Sequence, residues 1–401
     1  MLKSRKGVFD LTVTQFKFMK NIFITFLILG NFNTTAQDIS YNRKMVDTLT
    51  STAFWGRGYT KNGMENAANF LQNEFKNLGL KPLDGKKYLQ KFTVPANTFP
   101  GKMEVTLDGK KLTPGLDFLV GADSKGTKVM GTLEKQDSVT FIDRDNNIIV
   151  TLEKKLTWEA AQKVEPYTII QLDKNRIKAD PKTIEINIEN KFIKKFTANN
   201  VTAMVAGTQK PDSFIFITAH YDHLGGMGAD TYFPGANDNA SGVALLLSLA
   251  KYYATHPQKY SIGFILFGCE EIGLVGSKYY SENPIIPLNK IRFLTNTDLA
   301  GTGVDGITVV NATTFPKEFV MMNKVNDAGK YLTKINARGE AANSDHYWFT
   351  KKGVPSFFFY TLGGIAAYHD VFDKAATLPL NEQADLQKLL IKFNEELQNN
   401  R

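Results

Sequence analysis

The chain has 401 residues, 43% hydrophobic and 22% charged, a globular composition with length for two or more domains that excludes collagen-like, coiled-coil and wholly disordered chains. Its single cysteine, Cys269, excludes an internal disulfide framework and a cysteine-based zinc finger. Of the formal net charge of +8, half is local to residues 1–36, where Lys3, Arg5, Lys6, Lys17 and Lys20 face only Asp10. The rest is a mild excess with no Lys/Arg run interleaved with aromatics, so nucleic acid is not expected as a partner.

At the N-terminus, Lys17 and Lys20 precede the apolar run Ile22–Leu29, and the small residues Thr34-Thr35-Ala36 follow. This is the order of a signal peptide over residues 1–36, cleaved before Gln37. Met19 offers a later start that would leave residues 1–18 upstream of the true one. The run is too short to span a bilayer as a mature helix, and no cysteine stands near the cleavage point to carry lipid. The expectation is an exported protein, periplasmic or secreted, without a stable membrane anchor.

Next in the chain, residues 41–80 read as mostly helical: Met64, Ala67, Ala68, Phe70, Leu71, Phe75 and Leu78 recur at helical spacing and Gly79 follows. From 99 to 196 the texture turns to short β-type runs, Met103–Leu107, Ser138–Ile142, Ile148–Leu152, Tyr167–Leu172 and Ile184–Ile188, punctuated by Asp108-Gly109 and Asp145-Asn146-Asn147. This stretch reads as a β-rich module inserted into a domain formed by 37–98 and 197–401. Beyond 197, buried-strand runs at Phe214–Thr218, Ile262–Phe267, Ile291–Asn296, Ile307–Val310 and Pro355–Tyr360 alternate with helical patterns at Val243–Tyr253, Gly273–Ser281, Pro316–Lys330 and Asn381–Leu397. The alternation predicts an α/β fold, a three-layer sandwich about a mixed, mainly parallel central sheet.

The chemistry-bearing residues collect after these strands. His220-Tyr221-Asp222-His223 follows one, Cys269-Glu270-Glu271 another, Asn296-Thr297-Asp298 a third, and Tyr368-His369-Asp370 a fourth, while Gly235–Gly242 leads into a helix with Asp238 inside it. In open α/β sheets this edge is where sites form. Two histidines and several carboxylates suit Zn²⁺ or a similar ion. His220, Asp238, Glu271, Asp298 and His369 satisfy two tetrahedral ions if Asp238 bridges and water completes each. Glu270 is then left uncommitted beside them, as a general base must be. Asp222 reads as the residue that orients His220 through its other ring nitrogen, while His223, His256 and Cys269 read as structural. Gly301–Gly306 matches G-x-G-x-x-G but precedes a β-type run, so a dinucleotide site is not expected. No H-E-x-x-H or G-x-S-x-G motif is present.

His220-x-Asp222, Gly235–Gly242, Glu270-Glu271, Asn296-Thr297-Asp298 and Tyr368-His369, in this order over about 217–370, resemble the zinc aminopeptidases of peptidase family M28. Gly56-Arg57-Gly58 and Ser344-Asp345-His346 share the resemblance. It implies a co-catalytic pair of Zn²⁺ ions per chain, peptide substrates cut at their N-termini, and Tyr368 donating to the developing oxyanion. It also implies a cis peptide between Asp238 and Asn239, and a protease-associated-like domain at 99–196. Three alternatives stay open: a carboxypeptidase or dipeptidase of the same family, a mono-zinc transferase like glutaminyl cyclase, and a non-catalytic binding protein on the same fold.

Overall fold

The computed structural model describes residues 34–399. Most of the expected signal peptide lies outside the described residues; Thr34–Ala36 open the first helix, α1 (Thr34–Leu49). A 3-10 segment (Thr52–Arg57) leads to α2 (Gly63–Asn77), which buries Met64, Ala67, Ala68, Leu71 and Phe75.

Eight strands form the central sheet: β1 (Leu89–Thr98), β2 (Lys191–Val205), β3 (Lys210–His220), β4 (Tyr260–Phe267), β5 (Ile291–Thr297), β6 (Ile307–Val310), β7 (Ile335–Ala337) and β8 (Ser356–Thr361). Their order across the sheet is β1-β2-β4-β3-β5-β8-β6-β7. The four central strands, β4, β3, β5 and β8, run parallel, whereas β1, β2 and the β6–β8 pair introduce antiparallel neighbours. The parallel strands are apolar almost throughout because helices cover both faces. On one face Ile215, Ile217, Phe264 and Leu266 pack with α1, α2, α3 (Gly242–Thr255) and α7 (Gln383–Asn399). On the other, Phe214, Phe216, Ile265 and Phe267 pack with Tyr280 of α4 (Val275–Glu282) and Phe349 of α6 (His346–Lys351). The remaining helix, α5 (Pro316–Gly329), joins the first layer and begins with proline at its N1 position, where the missing N–H costs nothing.

Three of these strands lie where the sequence predicts none, at 89–98, 191–205 and 335–337. Strand β1 carries Pro95, and its register with β2 shifts between Val94 and Ala96. It is an edge strand, and an edge with a bulge tolerates a residue that has no N–H to donate. The N-terminal half of β2 is mostly exposed and interrupts Phe192, Ile193 and Phe196 with lysines, so it lacks the unbroken apolar run that betrays a buried strand. Residues 103–188 leave from and return to these two neighbours. They form a four-stranded antiparallel sheet and a five-stranded mixed one around a separate core containing Val105, Phe118, Phe141, Val150 and Ile170. Among the described residues no helix is long and apolar enough to cross a membrane.

Candidate metal centre

The parallel register brings the ends of β3, β4, β5 and β8 to one edge of the sheet, and the polar clusters sit there. His220 is the last residue of β3 and Asp298 follows β5 directly. Glu270 and Glu271 occupy the turn after β4, and His369 lies in the loop after β8. Asp238 comes from the irregular segment Ala236–Ser241 at the head of α3, where its peptide bond to Asn239 is cis, as the family resemblance implied.

These residues face one another. His220 Nε2 lies 3.3 Å from Asp238 Oδ1 and 3.2 Å from Asp298 Oδ1. His369 Nε2 lies 3.0 Å from both Asp238 Oδ2 and Glu271 Oε2. The two oxygens of Asp238 therefore point to different histidines. Donors sharing one tetrahedral Zn²⁺, each about 2.0–2.1 Å away, sit roughly 3.3 Å apart. Both histidines also present the correct nitrogen. His220 Nδ1 donates to the Asp222 carbonyl (3.1 Å) and His369 Nδ1 to the Trp158 carbonyl (2.9 Å), which turns each Nε2 inward as an acceptor. Asp298 Oδ1 and His369 Nε2 are buried and make no well-aligned hydrogen bond, although the facing His220 nitrogen and the Asp238 and Glu271 oxygens stand only 3.0–3.2 Å away. Such atoms are costly unless a cation takes them, so the donor set fits a divalent metal.

The electrostatics agree. Burial disfavours a charged His369, but Glu271 and Asp238 outweigh it and push the imidazole up to about 11. Burial and Asp238 oppose ionisation of Glu271, yet His369 and His223 draw it down to about 2. Acids that hold a proton on histidine this firmly create a potential that suits a cation equally well. Glu270 sits elsewhere in this field: burial pushes its carboxyl well up, His220 offsets part of that, and Asp345 and Glu271 add to it. Ligand atoms of Glu270, His220 and Asp298 lie within 4.8 Å of one another.

Further residues support these donors, and of them the sequence signals neither Asp373 nor a role for His223 at the site. Asp222 does stand behind His220, but through its carbonyl; its carboxylate accepts the Glu270 and Glu271 backbone N–H groups (3.0 and 3.3 Å). His223, read as structural, donates from Nδ1 to Glu271 Oε1 (2.5 Å). Asp373 accepts the N–H of Asn237 (2.8 Å) and of Asp238 (3.0 Å). Ser344 donates to Asp298 Oδ2 (3.0 Å). Arg57 is fully buried and donates to the carbonyls of Leu49, Tyr221, Pro234, Gly235 and Asp238. Its neighbours must be glycine: a Cβ on Gly58 would lie 2.4 Å from the Gly225 backbone, and one on Gly56 would lie 2.4 Å from the Phe233 carbonyl. Tyr368 is partly exposed and its ring stacks on His369 at 4.0 Å. His256 and Cys269 make no contact with the donors: His256 stacks on Tyr252 and Cys269 is buried against Met64.

The segment 155–162 ties two of the site's loops together. The Trp158 backbone N–H donates to the His369 carbonyl, and the Trp158 carbonyl accepts from His369 Nδ1 (2.9 Å each). Lys155 Nζ donates to the Ala366 carbonyl (2.9 Å) and pairs with Asp370 (3.3 Å). Gln162 Nε2 donates to the Ile272 carbonyl (2.7 Å), one residue beyond the Glu270-Glu271 pair. The double substitution Lys155→Ala/Gln162→Ala removes the side-chain ties and keeps the Trp158 pair. It is expected to weaken metal binding by up to about tenfold, the low end for supporting groups, read by competition with a chromophoric chelator. An unchanged affinity means the strap does not position the ligands.

Paired imidazoles and carboxylates at the carboxyl edge of an α/β sheet define the class of a metal-site protein, with the donor chemistry of zinc. Residues 200–394 match the model of peptidase family M28, which assigns that segment to the family. Among curated relatives, Aminopeptidase YwaD of Bacillus subtilis is 29% identical over 174 residues, 41% of this chain and 36% of that protein. A probable zinc metalloprotease of Pyricularia oryzae is 34% identical over 106 residues, 26% of this chain and 21% of that protein. The chain thus spans about a third or less of the length of these relatives. The solved structure of a zinc aminopeptidase from Bacillus subtilis superposes with a TM-score of 0.68 at 17% identity, covering 89% of this chain and 94% of the other. That likeness establishes the mixed α/β fold.

Proposed function

We propose that the protein is an exported zinc metallopeptidase that releases residues from peptide N-termini, with His220, Asp238 and Asp298 holding one ion and His369, Glu271 and Asp238 a second. The observation that carries this reading is Asp238, whose two oxygens face separate histidines at 3.3 and 3.0 Å. Bound there, Zn²⁺ would supply Lewis acidity toward the scissile carbonyl and a more acidic water. Glu270 accepts the proton of the attacking water and returns it to the leaving amine, a role favoured by a raised carboxyl. The Tyr368 hydroxyl donates to the oxyanion as it forms. Asp222 and Trp158 hold the two imidazoles in register through the bonds described above. Export rests on the order of charges, apolar run and small residues before Gln37, and N-terminal sequencing of the mature protein tests it.

Metal analysis of purified protein is expected to give about two zinc ions per chain. One points to a cyclase-like enzyme and none to a binding module. Removal by a chelator is expected to lower the melting temperature, because a ligand bound only to the native state stabilises it by mass action. With zinc restored, aminoacyl-arylamides should be cleaved and their N-acetylated forms refused. Cleavage of both overturns the aminopeptidase reading.

A further inference from the structure

The wall of the catalytic cavity holds more than the metal-facing groups. The cavity measures about 320 Å³ and is completed by Leu299, Arg338, Asn343, Phe358 and Tyr360. Phe358 and Leu299 are an apolar floor; the other three are hydrogen-bond donors. Arg338 follows the short strand β7, and its backbone N–H donates to the Val309 carbonyl (2.9 Å), which anchors it at the sheet edge. Its Nη1 donates to Tyr360 Oη (3.3 Å), and Tyr360 in turn packs its ring against Phe358 at 5.5 Å.

The environment of this guanidinium is unusual for a cation beside so many acids. Asp238, Glu271 and Asp298 are engaged with the two histidines, and among the described residues no carboxylate stands within ion-pair distance of Arg338. The side chain is exposed toward the cavity mouth. A planar guanidinium has five donors in a fork that matches a carboxylate, and the phenol here occupies only one of them. The phenolic hydroxyl and the Asn343 amide extend the same donor surface.

We propose that Arg338, with Tyr360 and Asn343, forms a carboxylate-binding subsite, so that the protein favours substrates carrying a carboxylate close to the scissile bond. The inference rests on the peptidase reading above and adds its substrate class. At this volume, near the lower end for ligand sites, the carboxylate belongs either to an acidic side chain flanking the bond or to the free C-terminus of a very short peptide. Arg338 is a specificity residue here, since it touches substrate away from the reacting atoms.

The test uses zinc-loaded full-length protein and two matched pairs of substrates. One pair is glutamyl- against glutaminyl-arylamide, which isolates the side chain. The other is a Leu-Gly dipeptide against its C-terminal amide, which isolates the terminus. Wild type is expected to favour the carboxylate member of one pair by about ten- to hundredfold in kcat/KM, the scale of a charged hydrogen bond, mainly through KM. Arg338→Gln is expected to collapse that ratio toward one, and Arg338→Lys to restore part of it. A ratio near one in wild type for both pairs, or a ratio untouched by Arg338→Gln, overturns the proposal and leaves Arg338 a solvated surface cation. If no substrate in either pair is cleaved, the peptidase reading fails on its own. Calorimetric titration of Leu-Gly and its amide into wild type and Arg338→Gln then decides the subsite: tighter binding of the acid, lost in the variant, upholds it, and equal binding overturns it.

Discussion

Glu270→Gln is expected to lower kcat by about 10²–10⁴-fold, the usual range for loss of a general base, while zinc content stays near that of wild type. The two neighbouring glutamates sit on one turn yet face different tasks. Glu271 is drawn down to about 2 by His369 and His223 after burial and Asp238 oppose it, so it remains an anion suited to hold a cation. Glu270 is pushed the other way, chiefly by burial, so it takes up a proton readily. A glutamine at 270 keeps the size and polarity and loses only the proton acceptor. Glu271→Gln, by contrast, places a neutral amide against the metal and is expected to lower metal affinity. Both variants are to be measured for zinc by atomic absorption and for turnover with excess zinc. Because Glu270 also lies beside His220 and Asp298, a loss of zinc in Glu270→Gln would make it a ligand. Retained turnover would remove it from the mechanism.

Arg57→Leu is expected to cost about 3–5 kcal/mol of stability, on the scale of two or three hydrogen bonds from a charged donor. All five carbonyls it serves lie between 2.7 and 3.3 Å away. Burial draws its own pKa down to about 10, opposed by the field of Asp373, Asp238, Asp222 and Glu271. Leucine fills some of the space but leaves those carbonyls without donors. Arg57→Lys rescues little, since an ammonium carries three donors on one point and lacks the guanidinium's fork. Urea titration should show a lower midpoint with an unchanged slope. Metal affinity should fall as well, because two of the carbonyls belong to Asp238 itself and to Tyr221, next to His220. A loss below about 1 kcal/mol would show that water replaces the guanidinium.

Residue identity alone exposes the groups whose side-chain type is their function. Buried parallel strands must be apolar on both faces, so β3, β4, β5 and β8 stood out, and an imidazole or carboxylate directly after such a run has few other reasons to be there. His220, Glu271 and Asp298 were therefore legible from the strands they follow, Asp238 from the turn that opens a helix and His369 from the loop after β8, and these five are the groups that face one another across the sheet edge. Everything carried by backbone or by register emerges only from the folded chain. Strand β1 hid behind Pro95 because an edge position and a bulge, neither visible locally, make proline acceptable. The carbonyls of Trp158 and Asp222 orient the two histidines, and any residue type could have supplied them. Arg338 reads in the sequence as one surface cation among many; β7 and β8 bring it to Tyr360 and the cavity wall. Side-chain chemistry is written in residue identity, whereas a backbone acceptor or a neighbour across the sheet exists only once long-range pairing has set the chain in place.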